Sequence, residues 1–358
     1  LSGLNIDNLK TFIGRGSHKE SHHEAIAIAA PNEGPRLLFG SADPGTFLRS
    51  VAKPFQALAM LRAGIAESFS LSPEELAVIC SSHAGEPIHR DLVRALLSRG
   101  GLSESHLDCG VHAPFSRSER VRIIASGELP DVTCSNCSGK HTGMLLACVA
   151  RGYPVEGYLD PSHPLQRSIR AMVELFTGEV LEPASFGVDG CGAPTFFMPL
   201  ASIARAFHRL HDDQFLKRCG LEERVERMHD AIDTHPRAFS GEGRLPLRWS
   251  RFLTGQFRAK EGAEGVMAVW GPQGALITKS LDGADRGLIH AVPLLLHRMH
   301  WIDDDTLERW IEDQPRIVRN VAGRVVGEIS VDVPDPSVLE QDYPALERPG
   351  KGVSRYTR

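Results

Sequence analysis

Arg49-Ser50-Val51-Ala52-Lys53-Pro54 sets a serine three residues ahead of a lysine, at the head of a stretch (50–62) with a helical pattern of apolar residues. Residues three apart on a helix share one face. The N-terminus of a helix carries partial positive charge, which favours a serine alkoxide and disfavours a cationic Lys53. Burial pushes a lysine pKa the same way. A neutral amine beside a hydroxyl meets the requirement for general-base activation of serine without any histidine. By itself the pattern arises by chance in most long chains, and its bland alternative is a solvated lysine at a surface helix start. Two later pieces add to it. Ser82-His83 lies in the small-residue loop Cys80-Ser81-Ser82-His83-Ala84-Gly85, after an apolar segment. Lys260-Glu261-Gly262 precedes a strand that begins at Val266, and is expected to be a loop from which the lysine reaches a pocket edge. Taken singly, these are a common turn serine and an ordinary loop lysine.

Outward from this core, 25–30 and 36–40 read as two strands joined at Pro31-Asn32-Glu33-Gly34, and Asp43-Pro44-Gly45 as a turn. Pro54 falls in the first turn of the 50–62 helix, where its missing N–H costs little. Gly64 suits the stop. Ser72-Pro73-Glu74-Glu75 begins a helix with an N-cap, a first-position proline and a third-position glutamate. Helices are expected over 89–99, 163–176, 200–210, 221–234 and 287–300. A further one, over 140–150, is small and apolar on most faces and therefore buried. A hairpin is expected from 266–270 and 275–278. The fold class is α/β in the broad sense (α+β), with one domain over 12–330 and an irregular, Pro/Asp/Gly-rich tail over 331–358.

The 358 residues are 42% hydrophobic and 24% charged, with a formal net charge of −5. This allows a large core. Acids and bases are mixed and form no basic stripe, which argues against a nucleic-acid partner. The longest apolar runs are too short to cross a bilayer. Residues 1–16 lack a charged-then-apolar signal pattern and an initiator Met. Seven scattered cysteines read as reduced thiols, and the expected location is cytoplasmic.

The second cluster is Thr133-Cys134-Ser135-Asn136-Cys137-Ser138-Gly139-Lys140-His141-Thr142-Gly143. Its C-x-x-C suggests a metal or thiol chemistry, with buried inert thiols as the alternative. A structural zinc site usually needs four Cys/His ligands, and no second C-x-x-C exists. The nearest extra candidates are His141 and Cys191, the latter in Asp189-Gly190-Cys191-Gly192-Ala193-Pro194. The G-x-x-x-x-G-K spacing of a phosphate loop is absent, as is H-E-x-x-H.

The order of S-x-x-K, a second serine and K-x-G resembles the elements of penicillin-recognising acyl-transfer enzymes. Arg49-Ser50-Val51-Ala52-Lys53-Pro54, Ser82-His83, the Cys134–His141 stretch, Asp189-Gly190-Cys191, Gly241-Glu242-Gly243-Arg244 and Lys260-x-Gly262 together resemble the serine–lysine asparaginases of the rhizobial type, over roughly residues 12 to 325. The resemblance implies a fold like the serine β-lactamases and penicillin-binding proteins, with a central antiparallel sheet flanked by helices. It implies hydrolysis of L-asparagine to L-aspartate and ammonia, with Ser50 as nucleophile and Lys53 as its base. Ser82 and Lys260 would form a second tandem. It implies Zn2+ on Cys137, Lys140 and Cys191, with Arg49, His141 and Asp189 on the substrate side. In that reading Asp189 would take the substrate ammonium and Arg49 its carboxylate. A homodimer is expected from the resemblance and because dimers are the commonest assembly. The chain departs from the family pattern at Leu245-Pro246-Leu247, where Pro246 stands in place of a cysteine. That departure keeps two alternatives open: a related acyl-transfer hydrolase of another small amide or ester, and a non-catalytic zinc-binding relative.

Overall fold

A computed structural model describes residues 8–31, 36–40, 45–253 and 255–333. Most of the turn expected at 31–34, most of the one at 43–45, and the tail from 334 onward lie outside the described residues. The strands are β1 (Leu9–Arg15), β2 (His18–Pro31), β3 (Arg36–Phe39), β4 (Thr46–Phe47), β5 (Phe186–Val188), β6 (Pro194–Met198), β7 (Arg258–Gly262), β8 (Val266–Gly271), β9 (Gly274–Ser280), β10 (Ile317–Arg319) and β11 (Val325–Asp332). The main sheet runs β10-β11-β1-β2-β9-β8-β7, with β3 also paired to β2, and every pairing is antiparallel. A small sheet, β4-β6-β5, lies apart. Fourteen α-helices accompany them among the described residues. The fold is α+β, as expected. The edges of the 12–330 span fall inside β1 and β11, so the sheet itself reaches from Leu9 to Asp332.

Strand alternation divides the interior in two. Ile26, Ile28 and Ala30 of β2, with Val266, Ala268 and Trp270 of β8, join the larger core between the sheet and the main body of helices. Ala25, Ala27 and Ala29, with Met267 and Val269, join the second core, against the Arg286–Arg298 and Asp304–Asp313 helices. A sheet buried on both faces reads as near-continuous apolar runs, and this is why β2 and β8 are legible. On β7, Ala259 belongs to the second core. The period of two therefore turns Lys260 toward the first.

This corrects the expectation of a loop at Lys260. The residue is in mid-strand, paired in register with Ala268 of β8. Arg-Ala-Lys-Glu-Gly has too many charges to read as a strand, and becomes one because its buried charges find partners inside. Besides β7, six strands were not anticipated: β1, β10 and β11 of the main sheet and β4, β5 and β6 of the small one. On β1, Leu9, Thr11 and Ile13 alternate inward. On β11 only Ile329 is buried, so the periodic signal is weak.

The Lys53–Arg62 helix runs through the larger core with residues 53–61 all buried. The Pro73–Cys80 helix carries the expected capping box: Glu75 N–H donates to Ser72 Oγ and Ser72 N–H to Glu75 Oε2. The Ser138–Arg151 helix crosses it at close range. A Cβ on Gly139 would lie 2.2 Å from Val78 O, and one on Gly143 2.6 Å from Ile79 Cγ2. Because the first clash is with backbone, it cannot be relieved by a rotamer change. Gly139→Ala is expected to cost about 2–3 kcal/mol of stability. Chemical denaturation of the variant checks it, and a midpoint equal to the parent's would contradict the packing described.

Candidate active site

Three elements deliver the polar centre: the 3-10 turn Arg49–Ala52 leading into the Lys53–Arg62 helix, the loop that follows Cys80, and β7. Lys53 Nζ donates to Ser82 Oγ at 2.9 Å, Ser81 O at 2.5 Å and Asn136 O at 3.3 Å. Lys260 Nζ donates to the same Ser82 Oγ at 2.8 Å and to Glu261 O at 2.7 Å. Lys53, Ser82 and Lys260 are buried, with exposures of 1%, 3% and 1%. Ser82 is thus bridged by both amines. Ser50 is half-buried, and among the described residues the acceptors of Lys53 Nζ are Ser81 O, Ser82 Oγ and Asn136 O, not the Ser50 hydroxyl. Tertiary contact has redirected the amine: three acceptors surround Nζ from loops distant in sequence. Ser50 still stands one 3-10 turn ahead, with Lys53 N–H on Ser50 O, and side chains three apart eclipse in such a turn.

Burial lowers the pKa of both lysines. For Lys260 the effect is large, and the charge on Lys53 adds to it. For Lys53 burial dominates, with the sulfur of Cys137 partly opposing it. Two ammonium groups on one hydroxyl repel each other, so the neutral amine is favoured on the pair.

The Ser82 loop is held from behind. His83 Nδ1 accepts from Gly85 N–H, so its Nε2–H donates to Ser138 Oγ at 2.9 Å. Burial keeps this imidazole neutral. His89 stacks on it at 4.8 Å.

Arg49 has φ +48°, a left-handed conformation costly for a residue with a Cβ. It is held by Thr195 Oγ1, which accepts from its N–H at 3.2 Å, and by Leu48 N–H on Phe196 O. The strained residue turns the chain so that Ser50 falls in the first turn of a helix, where backbone N–H groups lack intrahelical partners. The Arg49 Nε–H donates to Asp189 Oδ1 at 2.7 Å. Burial resists ionisation of Asp189, but Lys140, Arg49 and the Gly190 N–H outweigh it and lower its pKa. The two residues expected to bind opposite ends of a substrate are therefore bound to each other. His141 is fully buried, its Nδ1 at 2.7 Å from Tyr158 Oη and its Nε2 without a partner.

Cys137, Lys140 and Cys191 do come together. Cys137 and Cys191 share a hydrogen bond, and Lys140 Nζ donates to Cys191 Sγ at 3.0 Å. The bond from Cys191 brings the Cys137 pKa well down, while Cys191 retains the proton and is pushed up. Burial opposes the Lys140 charge, but the two sulfurs raise its pKa, so without metal it is an ammonium. No group of three His, Cys, Asp or Glu side chains suited to a metal occurs among the described residues. The third donor here is an amine. Sequence reasoning missed Asn136 O, Thr195, Tyr158 and Glu261 as supports. Asn136 and Glu261 stood inside quoted motifs, whereas nothing local marks Thr195 or Tyr158.

Fold and site define a class: an α+β protein whose deepest polar centre is built from serines and lysines. The family model described as L-asparaginase II matches residues 12–331, and the chain belongs to that family. Membership supports a hydrolase acting on amides, of asparaginase type. No match was found among the curated proteins compared. No helix among the described residues is long and apolar enough to cross a membrane.

Proposed function

We propose that this chain hydrolyses L-asparagine to L-aspartate and ammonia through an acyl-enzyme on Ser50. The observation that carries the reading is the buried Lys53–Ser82–Lys260 chain one turn from a half-buried serine. Of the two serines, Ser50 is the one a substrate can reach, and its hydroxyl is not committed to a protein partner.

Neutral Lys53, with two N–H groups, keeps two of its three acceptors and uses its lone pair to take the Ser50 proton as Oγ attacks the side-chain amide carbon. The Ser50 N–H donates to the developing oxyanion. Ser82, bridging both amines, passes a proton to the departing nitrogen and is resupplied by the Lys53 ammonium. Ammonia leaves with the C–N bond broken and the Ser50 ester formed. Water then attacks the ester, one proton returns to Ser50 Oγ, and L-aspartate is released. The substrate is a zwitterion, so it brings an ammonium and a carboxylate that must be matched. On the cysteine side His141 Nε2 has no protein partner, while Asp189 Oδ1 already accepts from Arg49 and the Gly190 N–H.

The donor set of two sulfurs and an amine, each already satisfied by the others, fits Zn2+, and Cys137, Cys191 and Lys140 would hold it. Bound there, the ion would supply fixed positive charge beside Asp189 and order the Cys137–Lys140 turn. Ligation displaces the protons on Cys191 and Lys140. Cys191→Ser is expected to reduce zinc content by about tenfold or more, as loss of a ligand does. Metal analysis of the purified variant reads this directly, and full occupancy would remove Cys191 from the ligand set. A homodimer and a cytoplasmic location belong to the same proposal.

The deciding assay is ammonia release from L-asparagine and, in parallel, L-glutamine at alkaline pH. Release from asparagine alone supports the proposal. Release from neither moves the search to other amides and esters. Pro246, buried in the first turn of the Leu245–Ser250 helix, would then be the leading reason.

A further inference from the structure

The Gly241-Glu242-Gly243-Arg244 motif has no role in the steps above. A cleft of about 850 Å3 opens beside it, lined by Phe115, Ser116, Arg117, Glu242, Gly243 and Arg244 among others. Neither serine lines the cleft, but both its walls are fastened to their surroundings. Ser116 N–H donates to Ala84 O at 2.9 Å, two residues past Ser82. On the other side Gly241, at φ +107°, lies so close that a Cβ would be 2.5 Å from Ala84 Cβ. Buried Glu86 accepts from Glu242 N–H at 2.6 Å and from Arg237 Nη2 at 2.6 Å, bolting this loop to the Ser82 loop.

Arg244 stands between the cleft and the lysines. Its guanidinium lies 4.6 Å from the Phe115 ring centroid and pairs with Glu261, the residue after Lys260. Its Nε is buried and has no hydrogen-bond partner. At Arg49, Nε–H is taken by Asp189 and Nη1 lies 3.9 Å from Glu264, so that guanidinium is turned toward two carboxylates. The lysines must be neutral for the chemistry. Arg244 thus lines the cleft with an N–H that no protein group takes, and its planar fork is suited to a carboxylate.

We propose that Arg244 is a specificity-determining residue that receives the α-carboxylate of a substrate entering through this cleft, with Glu261 and Phe115 holding the guanidinium in place. This rests on the asparagine-hydrolysis reading. It assigns to Arg244 the task that the family resemblance gives to Arg49.

The test compares L-asparagine with 3-aminopropanamide, which is the same molecule without the α-carboxylate. In Arg244→Met, kcat/KM for ammonia release from L-asparagine is expected to fall about 100-fold, mainly through KM, as when one partner of a charged pair is truncated. The loss on 3-aminopropanamide should be at least about tenfold smaller than on L-asparagine, since the lost contact is absent from it. Arg244→Lys, which keeps charge but not the fork, should fall in between and guards against misfolding of the first variant. Equal losses on both substrates would overturn the proposal and make Arg244 a support for Glu261 and Lys260. A parent protein that releases no ammonia from L-asparagine would sink the underlying reading instead, before any variant is compared.

Discussion

Ser50→Ala is expected to lower kcat for ammonia release from L-asparagine by about 10⁴-fold or more, equivalent to about 5.5 kcal/mol of transition-state stabilisation. The Ser82 hydroxyl is not placed to replace it, because it is buried and bridged by two amines. Ser82→Ala is expected to be milder, about 10²–10³-fold, within the usual range for loss of a proton-transfer group. It removes the relay to the leaving nitrogen and leaves Lys53 beside Ser50. Zinc content should be unchanged in both. The reverse ranking, with Ser82→Ala inert and Ser50→Ala still active, would transfer the acyl group to Ser82. Activity in both variants at the parent's level would end the acyl-enzyme mechanism altogether.

Turnover should also climb with pH. The reactive form has neutral amines at Lys53 and Lys260. Burial lowers both pKa values, with the largest effect at Lys260, so the rise comes at lower pH than for a free lysine at 10.5. On the acid limb the slope should be about tenfold per pH unit for one essential deprotonation. A plateau should follow before pH 10.5, the ordinary lysine value. Lys260→Met removes the stronger of the two perturbations. It should reduce kcat, and the limb that remains should follow Lys53, whose pKa burial lowers. A rate flat from neutral to strongly basic pH would contradict this assignment.

The same depression has a consequence for folding. An unfolded lysine binds its proton up to about pH 10.4, while folded Lys260 releases its proton earlier. Between the folded pKa and that value the unfolded state carries more protons, so stability rises with pH. The contribution is complete above the unfolded pKa and is lost as pH falls through the folded one.

Much of this architecture was legible along the chain. Ser72-Pro73-Glu74-Glu75 made its capping box because every group in it is within four residues. The strands 25–30 and 266–270 were visible because burial on both faces leaves continuous apolar runs. β7 was not, since a strand with Lys260 and Glu261 in its middle has the composition of a loop. Those charges are tolerated only because Ser82 and Arg244 arrive from other parts of the fold. Among the site residues, the Cys137–Lys140–Cys191 cluster assembles as quoted, and so does the proximity of Lys53, Ser82 and Lys260.

By itself, then, the sequence marked the candidate residues, since S-x-x-K, C-S-N-C-S-G-K-H and K-x-G are local patterns and chemistry follows residue type. Only the tertiary structure decided who bonds to whom. Lys53 is covalently closest to Ser50 yet donates to Ser82, and Arg49 and Asp189, expected to face a substrate, face each other. The physical reason is that a buried polar group takes whatever partner packing brings within reach. Such partners come from segments 28, 140 and 178 residues away, and no local pattern encodes that separation.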